Sequence, residues 1–183
     1  MAFTTKYMHL ALVAASLVTC AQPRPVRADD DFGIEDINLR AVPRAVSKAL
    51  SEHVRRTDYK ECAQGKFVGT AVDLVGFGQK GDWIVKTADG CAWGAATAKI
   101  WVLKRENAGY RVVLDSGGQG VILLKSEANG LRDLRMPSGT AGHYSDAWLK
   151  FDGWRYKVHR SCAIDLQDAE ELKVHPDGQC HIN

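Results

Sequence analysis

His143-Tyr144-Ser145-Asp146 sets an imidazole, two hydroxyls and a carboxylate side by side in the chain. These are the group types of acid–base and nucleophilic catalysis. A catalytic triad is assembled in space, however, so adjacency in sequence does not argue for one. No Gly-x-Ser-x-Gly elbow occurs either. Asp115, Asp133, His143 and Asp146 are the candidate acid–base groups of an envelope polysaccharide or peptidoglycan hydrolase. That activity would need two carboxylates facing each other, roughly 5–9.5 Å apart. His175, Cys180 and His181 are zinc-type ligands only if Cys180 is a free thiolate. Asp115-Ser116-Gly117-Gly118-Gln119-Gly120 is glycine-rich, but no Lys-Ser/Thr pair follows it. A connecting loop is therefore expected rather than a phosphate cradle. No cofactor motif is found, and no metal site is expected.

Five tryptophans, at 83, 93, 101, 148 and 154, are many for this length. At strand spacing most belong to a core. Trp83 and Trp93 flank glycine-containing turns and are the candidate exposed platforms. With His143 and Tyr144 they make up the candidate binding residues, because recognition concentrates on loops held by a rigid scaffold.

These side chains need a scaffold, and the chain describes one. A helix is expected over 43–59, opened by Pro43, whose missing N–H costs nothing in the first turn. Val42, Val46, Ala49, Leu50, His53 and Val54 recur at helical spacing. His53 lies on or beside that stripe, without a second ligand at i+4, and reads as a packing residue. After Cys62 the period becomes two. Strands are expected over 67–75, 83–87, 93–103, 110–114, 121–124 and 131–136, followed by a hairpin over 148–158. Asp152-Gly153 suggests a two-residue turn that sets Phe151 opposite Trp154 and Leu149 opposite Tyr156. A short helix is expected over 165–173. The resulting class is α+β, with an N-terminal amphipathic helix packed on a mainly antiparallel meander of about seven or eight strands.

The leader and the cysteines indicate an exported location. Lys6 precedes an apolar run over 10–18, too short to span a bilayer. Residues 1–28 are expected to be a signal peptide cut after Ala28. The less favoured alternative is a lipobox at Leu17-Val18-Thr19-Cys20, with a lipid anchor on Cys20. Without the leader the chain carries 21 basic and 22 acidic residues, which argues against a nucleic-acid partner. Residues 29–41 are expected to be loosely ordered, with Phe32, Ile34, Ile37 and Leu39 available to dock, and 42–183 to form one domain. The four remaining cysteines suit two disulfides in an oxidising compartment, Cys62–Cys91 and Cys162–Cys180 being the favoured pairing of three.

Four stretches carry a resemblance: Ile100-Trp101-Val102-Leu103, the run 109–118, Asn129-Gly130-Leu131-Arg132-Asp133-Leu134, and Phe151-Asp152-Gly153-Trp154-Arg155-Tyr156. In this order they resemble a recurrent segment of secreted bacterial proteins of unknown function. More faintly they are similar to the blades of FG-GAP-type repeats. The resemblance implies a compact extracytoplasmic β-rich domain and carries no activity. With one copy and no internal repeat, a propeller is not expected. Together these features suggest a non-enzymatic exported binding domain with a macromolecular partner in the envelope, most simply a protein. An inhibitor or immunity-type protein for an envelope-acting enzyme would fit. The alternatives are the hydrolase and a lipid-anchored structural component.

Overall fold

A computed structural model describes residues 31–175 and 178–183. The expected signal peptide and Cys20 lie outside the described residues. The fold is mostly antiparallel β, in two sheets with few helices. The first five-stranded sheet has the order β2 (Arg40–Ala41), β3 (Phe67–Val72), β4 (Asp82–Thr87), β5 (Ala98–Glu106), β6 (Gly109–Gly118). The second has six strands, β1 (Asp31–Gly33), β7 (Gly120–Ala128), β8 (Leu131–Thr140), β9 (His143–Phe151), β10 (Tyr156–Asp165) and β11 (Gln179–Ile182), in that spatial order. The helix α1 (Arg44–Val54) follows β2, and α2 (Ala169–Val174) precedes β11.

Among the described residues eleven strands replace the expected seven or eight, and the single meander becomes two packed sheets. The cause is the run 115–120, which is no loop. β6 continues through it to Gly118, and β7 begins at Gly120. Only Gln119 separates them, so the chain turns a corner between sheets. Gln119 is fixed there by its N–H to Pro137 O (2.9 Å) and its carbonyl to Ile34 N (2.9 Å). A Cβ on Gly120 would sit 2.4 Å from Phe32 O, so only glycine lets β1 close against this corner. Residues 31–41, expected to be loosely held, thus carry β1 and β2. Phe32 and Ile34 are buried in the core, Leu39 packs against it, and Ile37 stays exposed.

The core has two compartments. Between the sheets lie Ile84, Ile100 and Val102 from one side and Val121, Leu134, Met136, Leu149 and Tyr156 from the other. On the far face of the five-stranded sheet, Val46, Leu50 and Val54 of α1 pack on Phe67, Val85, Trp101 and Leu103. β5 is therefore covered on both faces. This explains its unbroken apolar run: Ile100 and Val102 face the partner sheet, while Trp101 and Leu103 face the helix. Trp101 meets Phe67 edge-on, with ring centroids 6.0 Å apart.

Both favoured disulfides are present. Cys62–Cys91 ties the turn after α1 to the β4–β5 connection, and Cys162–Cys180 joins directly paired residues of β10 and β11. The aromatic hairpin departs from expectation. Phe151 pairs with Tyr156 and Leu149 with Val158, so the loop has four residues, 152–155. Asp152 Oδ1 accepts the N–H groups of Trp154 and Arg155 (both 2.8 Å), and only Gly153 adopts positive φ. This side-chain cap replaces the two-residue turn. Trp154 is left in the loop, 67% exposed, with Arg111 stacked 4.2 Å from its ring. The resemblance-bearing stretches fall on β5, β6, β8 and the β9–β10 hairpin, and so are shared between the sheets.

Candidate functional site

Asp115 and Trp101 are paired across β6 and β5, so both face α1. The last turn of α1 delivers His53, whose Nε2 lies 2.8 Å from Asp115 Oδ2. From β5, two residues before Trp101, Lys99 donates Nζ–H to Asp115 Oδ1 at 2.6 Å. Burial alone would raise the Asp115 pKa. The hydrogen bonds from His53 and Lys99 and the lysine charge outweigh it, and the pKa falls to about 2. The Trp101 Nε1, buried and without a well-formed hydrogen bond of its own, also leans on this carboxylate. Asp115 is thus a fixed anion, unable to act as a general acid near neutral pH. Its neighbours are aromatic as well as charged: Lys99 Nζ sits 4.9 Å from the centroid of Tyr59.

Lys99 and Tyr59 open onto a shallow cleft of about 330 Å³, completed by Trp93, Thr97, Ala98 and Gly117. Trp93 is held by three neighbours. Its indole N–H donates to Thr87 Oγ1 (3.1 Å), Lys86 Nζ lies 4.6 Å from its ring centroid, and its backbone bridges to Ala98. The Thr87 hydroxyl donates in turn to the Cys91 carbonyl (2.6 Å), linking the platform to the disulfide.

Thr97 also lines a second cleft, about 360 Å³, on the side of the six-stranded sheet. A cross-strand row Thr140–His143–Asp165 borders it, and His143 Nδ1 lies 3.0 Å from Asp165 Oδ2. A second row, Ser138–Ser145–Ala163, adds hydroxyls. Tyr144 is 49% exposed at the rim, with its ring over Gly139; a Cβ there would approach the ring to 2.6 Å. Two shallow clefts thus meet at Thr97, with Tyr59 and Trp93 at one end and Tyr144 at the other.

Of the candidate binding residues, Trp93, His143 and Tyr144 border this composite groove. Trp83 does not; it packs half-buried on the helix side of β4. The candidate acid–base residues are dispersed. Asp115 lies beneath α1. Asp133 is 6% exposed in β8. Asp146 is clamped by Arg135 through two hydrogen bonds, 2.9 and 2.6 Å. His143 pairs with Asp165, and no hydrogen bond among the described residues joins it to Ser138 or Ser145. Sequence reading took His53 for a packing residue and did not single out Lys99, Tyr59 or Thr97. His53 and Asp115 are 62 positions apart, and nothing local marks them as partners.

The larger concavity, about 620 Å³ around the 73–81 loop, also contains two carboxylates, Asp73 and Asp82. Both are occupied by backbone. Asp73 caps Val75, Gly76 and Gly78, and Asp82 accepts Leu74 N and Arg105 N at 3.2 and 2.7 Å. Burial, the largest influence, raises the Asp82 pKa. These groups shape the loop and are not free for a ligand. Among the described residues one metal-type cluster occurs, Glu61, Cys62 and Cys91, and its sulfurs are joined to each other. No described helix is long and apolar enough to cross a membrane.

No family model, curated protein or solved structure matches the chain.

Proposed function

We propose that this protein is an exported binding domain whose working surface is the composite groove at Thr97, and that the groove takes an extended segment of a protein partner in the envelope. The observation that carries the reading is the meeting of two open clefts at one residue, with aromatic side chains at both ends and hydroxyls between them. Aromatic side chains offer large contact area at low entropic cost, and the hydroxyls match backbone amides along a strand. Two disulfides are compatible with an oxidising, exported location. The dispersal of Asp115, Asp133 and Asp146 favours binding over polysaccharide hydrolysis.

The test is capture from an envelope extract by the oxidised, mature chain, with and without Thr97→Trp. The bulky side chain fills the junction of the clefts, so a specifically captured protein should be lost while the melting temperature is kept. Equal capture by both chains would reject the groove. Glycan hydrolysis that disappears in His143→Ala would reject the binding reading itself. Mass spectrometry of the mature N-terminus distinguishes cleavage before Asp29 from lipidation of Cys20.

A further inference from the structure

On the solvent-facing side of the six-stranded sheet, five side chains line up across the strands: Ile122, Arg135, Trp148, Arg160 and Ile182. The two guanidinium carbons lie 5.6 Å (Arg135) and 4.9 Å (Arg160) from the Trp148 ring centroid. Trp148 is central in this row, flanked by one arginine from each neighbouring strand. Such stacking holds a guanidinium extended and leaves its N–H fork available in the plane.

The placement of Arg160 depends on a bulge. Tyr156 and Val158 pair with the inward residues Phe151 and Leu149, and strict alternation would turn Arg160 inward too. The register shift between Val158 and Arg160 inserts one residue and re-aims Arg160 outward, opposite Trp148. The neighbouring row is Lys150 directly opposite Lys157, an arrangement of like charges that costs stability. Arg135 is neutralised by Asp146 and Lys157 is shared with Asp152. Arg160 has no carboxylate partner among the described residues; its Nη2 lies 3.3 Å from Cys180 Sγ. Lys150 is exposed and likewise forms no ion pair among them. Two cations without a carboxylate partner among the described residues therefore stand on one face, Arg160 stacked on Trp148 and Lys150 opposite the Asp152-paired Lys157.

We infer that this face is a second binding surface, for an anionic polysaccharide whose repeating carboxylates bridge Arg160 and the Lys150–Lys157 pair. A polyanion offsets the juxtaposed lysine charges and supplies carboxylates to the Arg160 guanidinium, whose only described side-chain acceptor is the weak Cys180 sulfur, as charge-assisted hydrogen bonds favour. The Trp148 ring already has a guanidinium from each neighbouring strand, at 5.6 and 4.9 Å from its centroid, which competes with nucleobases for stacking. This inference is independent of the Thr97 groove.

The experiment measures binding of the oxidised mature chain to polygalacturonate, with neutral dextran, a single-stranded oligonucleotide and phosphatidylglycerol vesicles as comparators. Polygalacturonate should bind at low salt and weaken steeply as NaCl rises from about 50 to about 300 mM. The double variant Arg160→Gln/Lys150→Gln should lose about tenfold or more in affinity, the loss of one or two charged hydrogen bonds. Arg160→Lys, which keeps the charge and removes the planar fork, should lie between. Both variants are on the solvent face, and a melting temperature no lower than the parent's verifies their folding, the loss of the Lys150 charge in the double variant acting to raise it. Binding no tighter than to dextran, an unaffected double variant, or stronger binding to the oligonucleotide or the vesicles would overturn the inference. Loss of polygalacturonate binding in Thr97→Trp would also overturn it, by placing the polymer in the groove.

Discussion

Asp115 shows how a side chain gains its properties from residues remote in sequence. Held near pKa 2 by His53 and Lys99, it contributes stability that is fully present above about pH 4, the carboxylate's range in the unfolded chain. That contribution, about 2 kcal/mol, is lost as pH falls through about 2. Asp115→Asn should therefore lower stability at pH 7 and flatten the acid limb of a denaturation-versus-pH curve between about 4 and 2; an unchanged limb would refute the assignment. Trp101→Ala should be costlier, about 3–5 kcal/mol by chemical denaturation, because a fully buried indole leaves a cavity under α1. The burial of Trp101 was legible in the run Ile100-Trp101-Val102-Leu103. The His53–Asp115–Lys99 cluster was not, since pattern reading finds neighbours on one element and these come from three. Trp154 was misplaced for a related reason: Asp-Gly specifies a turn, but whether Asp152 caps it decides which residues face inward.

At the level of elements, periodicity identified α1 and most strands, and failed where glycine-rich sequence was taken to mean a loop. Gly120 belongs to a strand because the Phe32 backbone passes too close for a side chain; Gly118 is tight, with Pro137 O 3.3 Å from a Cβ built there, while Gly117 has ordinary room. Gly120→Ala should displace β1 from β7, since the new methyl would strike Phe32 O. Hydrogen exchange should then accelerate at Phe32 and Ile34 while β8–β9 amides stay protected. Uniform protection would show that the corner tolerates a side chain. The bulge in β10 was equally invisible, because alternation in a partly polar strand does not reveal a one-residue slip. It moves Arg160 from one face to the other, and with it the chemistry of the whole outer surface.

For the molecule as a whole, two layers of sheet and a helix are stapled at each end of the chain. The cysteine count and spacing made both pairings legible, because local bridges were favoured. The sandwich was not legible, because hairpin-length connections fit one sheet or two equally well. Closing loops of 29 and 18 residues, the bridges should each contribute about 3–4 kcal/mol by restricting the unfolded chain. Cys62→Ser/Cys91→Ser should lower the urea midpoint accordingly; a midpoint within error of the parent would contradict that role. The Cys162–Cys180 bridge has a different consequence. β11 is short and exposed, yet it is what covers the outer backbone of β10 at the margin of the six-stranded sheet. Released by reduction, it would bare the outer backbone of residues 160–163 and so open the whole edge of β10 to its counterpart in another molecule. The bridge is then a safeguard against self-association. Cys180→Ser should form light-scattering aggregates at concentrations where the oxidised parent stays monodisperse, while its far-ultraviolet circular dichroism remains nearly unchanged.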